Sequence, residues 1–166
     1  MRVVFRILAF AVAGMVVVQA AVMVWAVAGL GIFVEDGGVV DSATMEQALA
    51  GDSPFPESVG LVLHGMNGMT VIPVLAVLLL VASFFAGVRG AWRWGLAVLL
   101  LVILQAALGL AGHSVPFLGA LHGVNALLLF SAAFYAGWRV AAVDRASARP
   151  AVVEASGPVP AEGLPS

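Results

Sequence analysis

Leu63-His64-Gly65-Met66-Asn67 and Leu121-His122-Gly123-Val124-Asn125 are one five-residue phrase written twice, each near the head of a long apolar run. The chain has three histidines and no cysteine, so two of its three imidazoles stand in a repeated frame. A histidine inside a membrane segment is costly and usually carries a function. Two at matching positions on two helices point to one ligand held between them. The best candidate is a haem iron bound from both sides.

The surrounding composition fixes the setting. Of 166 residues, 63% are hydrophobic, and the mean hydropathy is +1.12, far above a soluble domain. Spanning a bilayer takes about 20 apolar residues, and four runs are long enough: roughly 3–34, 59–85, 94–112 and 118–140. This predicts an all-α, four-span up-down bundle over residues 1–145. Without cysteine there is no disulfide, no thiolate metal site and no covalent haem attachment through a CxxCH motif. A net charge of -2 argues against a nucleic-acid partner; the partner is the lipid bilayer.

Charge placement gives orientation. The basic residues are all arginines: Arg2, Arg6, Arg89, Arg93, Arg139, Arg145 and Arg149. They fall before the first run, between the second and third, and after the fourth. The loop between the first two runs carries Glu35, Asp36, Asp41, Glu46, Asp52 and Glu57 and no base. Positively charged loops stay cytoplasmic, so both termini are expected in the cytoplasm of a multi-pass plasma-membrane protein. A signal peptide ending near Ala26-Val27-Ala28 competes for the first run. That run is longer than the usual apolar core of about 7–15 residues, and retention is the expectation.

Local signals fill in the rest. Residues 41–50 suit a short surface helix, and Ser58 suits an N-cap for the second span. Pro73 is expected to kink that span. Trp92 and Trp94 beside Arg89 and Arg93 read as an interfacial turn. From Ala146 to the end, Ala, Pro, Ser, Gly and Glu dominate, predicting a disordered cytoplasmic tail over 146–166. The second run closes with Phe85-Ala86-Gly87-Val88-Arg89 and the fourth with Tyr135-Ala136-Gly137-Trp138-Arg139. Both spans therefore start and finish alike, a degenerate repeat of two hairpins. The interval is 25 residues from His64 to Arg89 but 17 from His122 to Arg139, a mismatch left to the Pro73 kink, tilt and arginine snorkelling.

His64 and His122 should sit at matching depth near the outer face. Spans two and four of an up-down bundle are diagonal, with axes roughly 11–14 Å apart if neighbours are about 8–10 Å apart. Two inward imidazoles with a metal between them fill that gap. Gly65 and Gly123 follow the histidines and leave room for a flat macrocycle. Asn67 and Asn125, three residues on, share the histidine face and can orient an imidazole or meet the cofactor rim. Gln105 is the strongly polar residue of the third span, either helix glue or a cofactor contact. His113 lies in an outer turn, either a solvated loop residue or a partner for propionates. A lone histidine would read as interfacial or as helix glue; the repeated pair favours one b-type haem. Zinc or copper would need more ligands than the spans offer.

The second span's outer histidine, the Trp/Arg turn, Leu104-Gln105-Ala106-Ala107-Leu108-Gly109, an outer Pro turn and Leu121-His122 together resemble one four-helix half of haem A synthase. The likeness covers roughly residues 60–140; the chain is also similar to small actinobacterial four-span membrane proteins. It implies that His64 and His122 are the axial pair. Where that family carries a glutamate before the helix-two histidine and an arginine after it, this chain has Leu61 and Gly65. What the resemblance implies is therefore the haem-holding frame and not the synthase chemistry. One haem is expected to serve local electron exchange, haem sensing or haem handling at the outer face, and a membrane redox partner or respiratory complex and an oligomer are both compatible with that expectation. The rival is a cofactor-free structural or assembly subunit, whose small residues Ala13-Gly14 and Gly109 with Gly112 serve packing.

Overall fold

Apolar side chains on every side of a helix have no aqueous solution except burial or lipid. In the computed structural model, which describes residues 1–148 and side chains through 146, four helices carry that pattern. Within their most apolar windows only 17% to 33% of residues are buried by the protein, so the outward faces need lipid. α1 runs Arg2–Glu35 and a short α2 runs Ser42–Ala50. The next span is composite: a 3-10 turn Pro56–Ser58, α3 (Val59–Met66), a π-helical turn Asn67–Val71, and α4 (Ile72–Phe84). α5 covers Ala91–Gly112 and α6 Pro116–Ala148. There is no strand among the described residues.

The core is built from four matching stripes. Phe5, Ala9, Val12 and Val16 are buried on α1, and Ile72, Ala76, Leu79 and Ser83 on α4. Ala91, Gly95, Val98 and Val102 are buried on α5, and Leu129, Ala133, Ala136 and Val140 on α6. Each stripe steps by four, three and four residues, the heptad spacing of a left-handed seam. Small residues fill much of it, which lets backbones approach where no hydrophobic effect drives helices together. A Cβ on Gly95 would stand 3.1 Å from Leu80 Cα of α4. α1 packs against α6 and against α3 and α4, and α5 packs against α4 and α6. That order leaves the composite second span and α6 across the bundle from each other.

The structure departs from the sequence reading in four places. Ser58 stands at the N-cap of α3 but does not cap it: its backbone is already helical (φ -58, ψ -25), whereas a capping residue needs extended geometry. Its hydroxyl is buried without a partner. Pro73, which is no such departure, stands at the start of α4, just past the π turn Asn67–Val71. Proline offers no N–H to the carbonyl four residues back and crowds it, and the wider turn relieves both. The two similar closings behave differently. Gly87 takes a left-handed φ of 62 where the second span has already ended, while Gly137 lies inside α6, packed on the Phe10 ring. α6 accordingly runs past Val140, through the start expected for the tail; residues 149–166 lie outside the described residues. Finally, Gly14 faces open space and packs against nothing.

α2 is the surface helix anticipated over 41–50. Asp41 is its N-cap, its Oδ1 accepting from the Thr44 N–H at 2.8 Å and from the Thr44 hydroxyl at 3.0 Å. Gly51, with φ 92, ends it. The Thr44 N–H and hydroxyl hold the Asp41 carboxyl below its ordinary 3.8.

Candidate cofactor site

The stripes continue outward into polar residues at the same spacing. Three residues beyond Val16 on α1 is Gln19, and three beyond Val102 on α5 is Gln105. On α6 the series backs up from Leu129 by four to Asn125 and by three to His122. On the second span it backs up from Ile72 by five to Asn67 and by three to His64. The extra residue is the one the π turn absorbs. Without it, everything before Asn67 would be rotated about 100° off the seam. π turns are rare and often mark functional sites; this one brings His64 and Asn67 into phase with the core.

The result is two sets of hydrogen bonds that match partner for partner. His64 Nδ1 lies 3.2 Å from the Gln19 carbonyl, and His122 Nδ1 lies 2.9 Å from the Gln105 carbonyl. Asn67 Nδ2 donates to Gln19 Oε1 (3.0 Å) and to the Met15 carbonyl (3.4 Å). Asn125 Nδ2 donates to Gln105 Oε1 (2.6 Å) and to the Leu101 carbonyl (3.0 Å). Met15 and Leu101 each precede their glutamine by one helical turn. The first set adds a bond from Gln19 Nε2 to the His64 carbonyl at 2.9 Å. Both asparagines are buried, and each keeps a buried Oδ1 with no partner.

Chemistry follows from the tautomer. A carbonyl oxygen only accepts, so Nδ1 of each bonded imidazole carries the proton. That leaves Nε2 of both rings with a free lone pair, the form in which histidine ligates metals. The two ring centroids are 6.1 Å apart at an interplanar angle of 51°. A metal–imidazole bond of about 2 Å on each side, with the ring radii added, places two centroids about 6 Å apart. The half-buried histidines come from diagonal spans, each ring steadied by the neighbouring helix: His64 by α1, His122 by α5.

Glycines give the rings their room. A Cβ on Gly109 would stand 3.0 Å from His122 Cε1, and one on Gly68 would stand 2.7 Å from Gln19 Nε2. Gly65 and Gly123 are exposed, with open space where a Cβ would sit. Of the residues singled out in the sequence, His64, His122, Asn67, Asn125 and Gln105 converge. His113 is exposed at the end of α5, outside both hydrogen-bond sets. Among the described residues no three His, Cys, Asp or Glu side chains gather.

Gln19 is the residue that sequence reasoning missed. Its signal was present: Val16-Val17-Val18-Gln19-Ala20-Ala21 parallels Val102-Ile103-Leu104-Gln105-Ala106-Ala107. The parallel hides because neither glutamine stands near its histidine in sequence. No protein-family model, curated protein or solved structure matches this chain.

Proposed function

We propose that this protein binds one b-type haem through His64 and His122 and serves local electron exchange, haem sensing or haem handling in the plasma membrane. The observation that carries this reading is the imidazole pair 6.1 Å apart, with both Nδ1 atoms committed to carbonyls. Two nitrogen donors are too few for zinc or copper, but they suit a metal that brings four equatorial ligands of its own. Haem, when bound, would supply one-electron chemistry. The chain's own residues would do the holding: Gln19 and Gln105 fix each tautomer through their carbonyls, and Asn67 and Asn125 lock those glutamine side chains. Gly109 lets His122 lie against α5. His64 and His122 would both be committed to holding the haem, which suits carriage or sensing better than oxygenation. The resemblance to a haem A synthase half supports the same frame without the synthase glutamate. The arginine distribution supports cytoplasmic termini and a site in the outer half of the membrane.

The test is protein purified in detergent, read by absorption. The wild type should be red with a low-spin Soret spectrum. His64→Ala and His122→Ala should each abolish that spectrum, and His113→Ala should keep it. Colourless wild type that remains folded after haem reconstitution would favour a cofactor-free assembly or structural subunit, the reading supported by the small-residue seams.

A further inference from the structure

The opposite end of the bundle holds a second polar feature that the histidine pair does not use. Six of the seven arginines lie in the described residues, and their partners divide sharply. Arg2 and Arg6 share Asp144, each at 3.5 Å. Arg89, Arg93 and Arg139 have no carboxylate partner among the described residues, yet they line one cavity of about 750 Å³ with Trp92 and Trp94. They reach it from three elements: the turn after α4, the first turn of α5, and α6. Arg139 donates Nη2 to the Arg89 carbonyl at 3.4 Å, tying α6 to that turn. Arg93 lies 5.6 Å from the Trp92 ring centroid, a cation–π contact that orients its guanidinium. Trp94 packs on Tyr135, and Tyr135 on Trp138, extending an aromatic wall on the α6 side.

Three guanidiniums around one recess repel one another unless an anion joins them, and a recess of one sign concentrates counter-charge. Tryptophans beside them are the residues that sit at headgroup level. Arginine's planar fork suits phosphate oxygens, and basic pockets between spans on the cytoplasmic side take anionic headgroups. We propose that this recess is a specific site for the phosphate of an anionic phospholipid. General attraction of a positive membrane face is insufficient as an account, because Arg139 is drawn from a separate helix into a shared cavity. The proposal rests on the cytoplasmic placement of the arginine end in the reading above and is independent of haem.

The protein in nanodiscs of phosphatidylcholine with increasing brominated phosphatidylglycerol provides the test. A Trp25→Phe background confines the tryptophans to the arginine end. The wild type should prefer brominated phosphatidylglycerol over brominated phosphatidylcholine as a quencher. Arg93→Gln or Arg139→Gln should each lower that preference about fivefold, the effect of one arginine near a charged headgroup. Arg145→Gln removes an exposed charge outside the recess and should leave the preference intact. Inorganic phosphate should not compete. Absence of preference in the wild type, an equal loss in Arg145→Gln, or displacement of lipid by inorganic phosphate would each overturn the assignment, the last pointing to a free phosphate as occupant.

Discussion

At the scale of single residues, two amides and a glycine decide how the histidines stand. Asn125→Leu keeps the branched shape but removes both bonds to Leu101 and Gln105. Interhelical hydrogen bonds in membranes contribute about 0.6 kcal/mol on average and about 1.7 at most. Unfolding followed by steric trapping in bicelles should therefore show a loss in that range. Asn67→Leu should lose less, because its bond to Met15 is long. Gly109→Ala acts on geometry instead. A Cβ there meets His122 Cε1 at 3.0 Å and Nδ1 at 3.1 Å, so the ring must shift by a few tenths of an ångström or lose its bond to Gln105. Haem-loaded Gly109→Ala should show an altered low-spin spectrum while Gly123→Ala, facing open space, should match the wild type. Identical spectra for both would mean that the α5 face does not position the ring.

At the scale of elements, α2 and the π turn make separate predictions. The carboxyl of Asp41 is held below 3.8, first by the Thr44 N–H and then by its hydroxyl. A carboxyl with a lowered folded value stabilises the helix above its unfolded value; the contribution fades as pH falls through the folded value. The Thr44 amide resonance, followed by NMR, should titrate with a midpoint below 3.8. Thr44→Val, which keeps the N–H but not the hydroxyl, should move that midpoint upward. For the π turn, Pro73→Ala restores a donor to the preceding turn and removes the ring that crowds it. If the turn then relaxes to α geometry, His64 rotates relative to α4 by about 100°. The expected outcome is loss of the low-spin spectrum with the helix content unchanged by circular dichroism. An intact spectrum would show that the turn persists without proline.

At the scale of the whole molecule, the proposed orientation rests on the arginines. A reporter fused after Ser166 should be cytoplasmic and one inserted near Asp41 should be outside. A Ser166 reporter outside would sink the four-span orientation. Asp144 joins the N-terminus of α1 to α6 through Arg2 and Arg6, but the pairs are partly exposed and 3.5 Å long. Asp144→Asn should change stability by less than about 1 kcal/mol. The seams carry the assembly: a Cβ on Gly60 would stand 2.5 Å from the Val22 carbonyl of α1, leaving no room for a larger residue between those backbones.

The sequence by itself determined the four apolar runs and the paired His64/His122 and Asn67/Asn125. Those depend on local quantities: apolar length and identical phrases such as Leu-His-Gly-x-Asn. It also located α2 within residues 41–50. Three things were decided by tertiary structure. Gln19 joins His64 across 45 residues, so its role depends on which face of α1 meets α3. The extra residue between Asn67 and Ile72 became a π turn because the His64 face has to meet the same seam as Ala76 and Leu79. Gly87 and Gly137 sit in near-identical phrases, yet Gly87 lies in the turn after a span that ended at Phe84 while Gly137 lies inside α6 against Phe10. Apolar pattern is a property of neighbours along the chain. Phase, partner and helix continuation depend on neighbours in space, and in a bundle of similar helices those are set by packing.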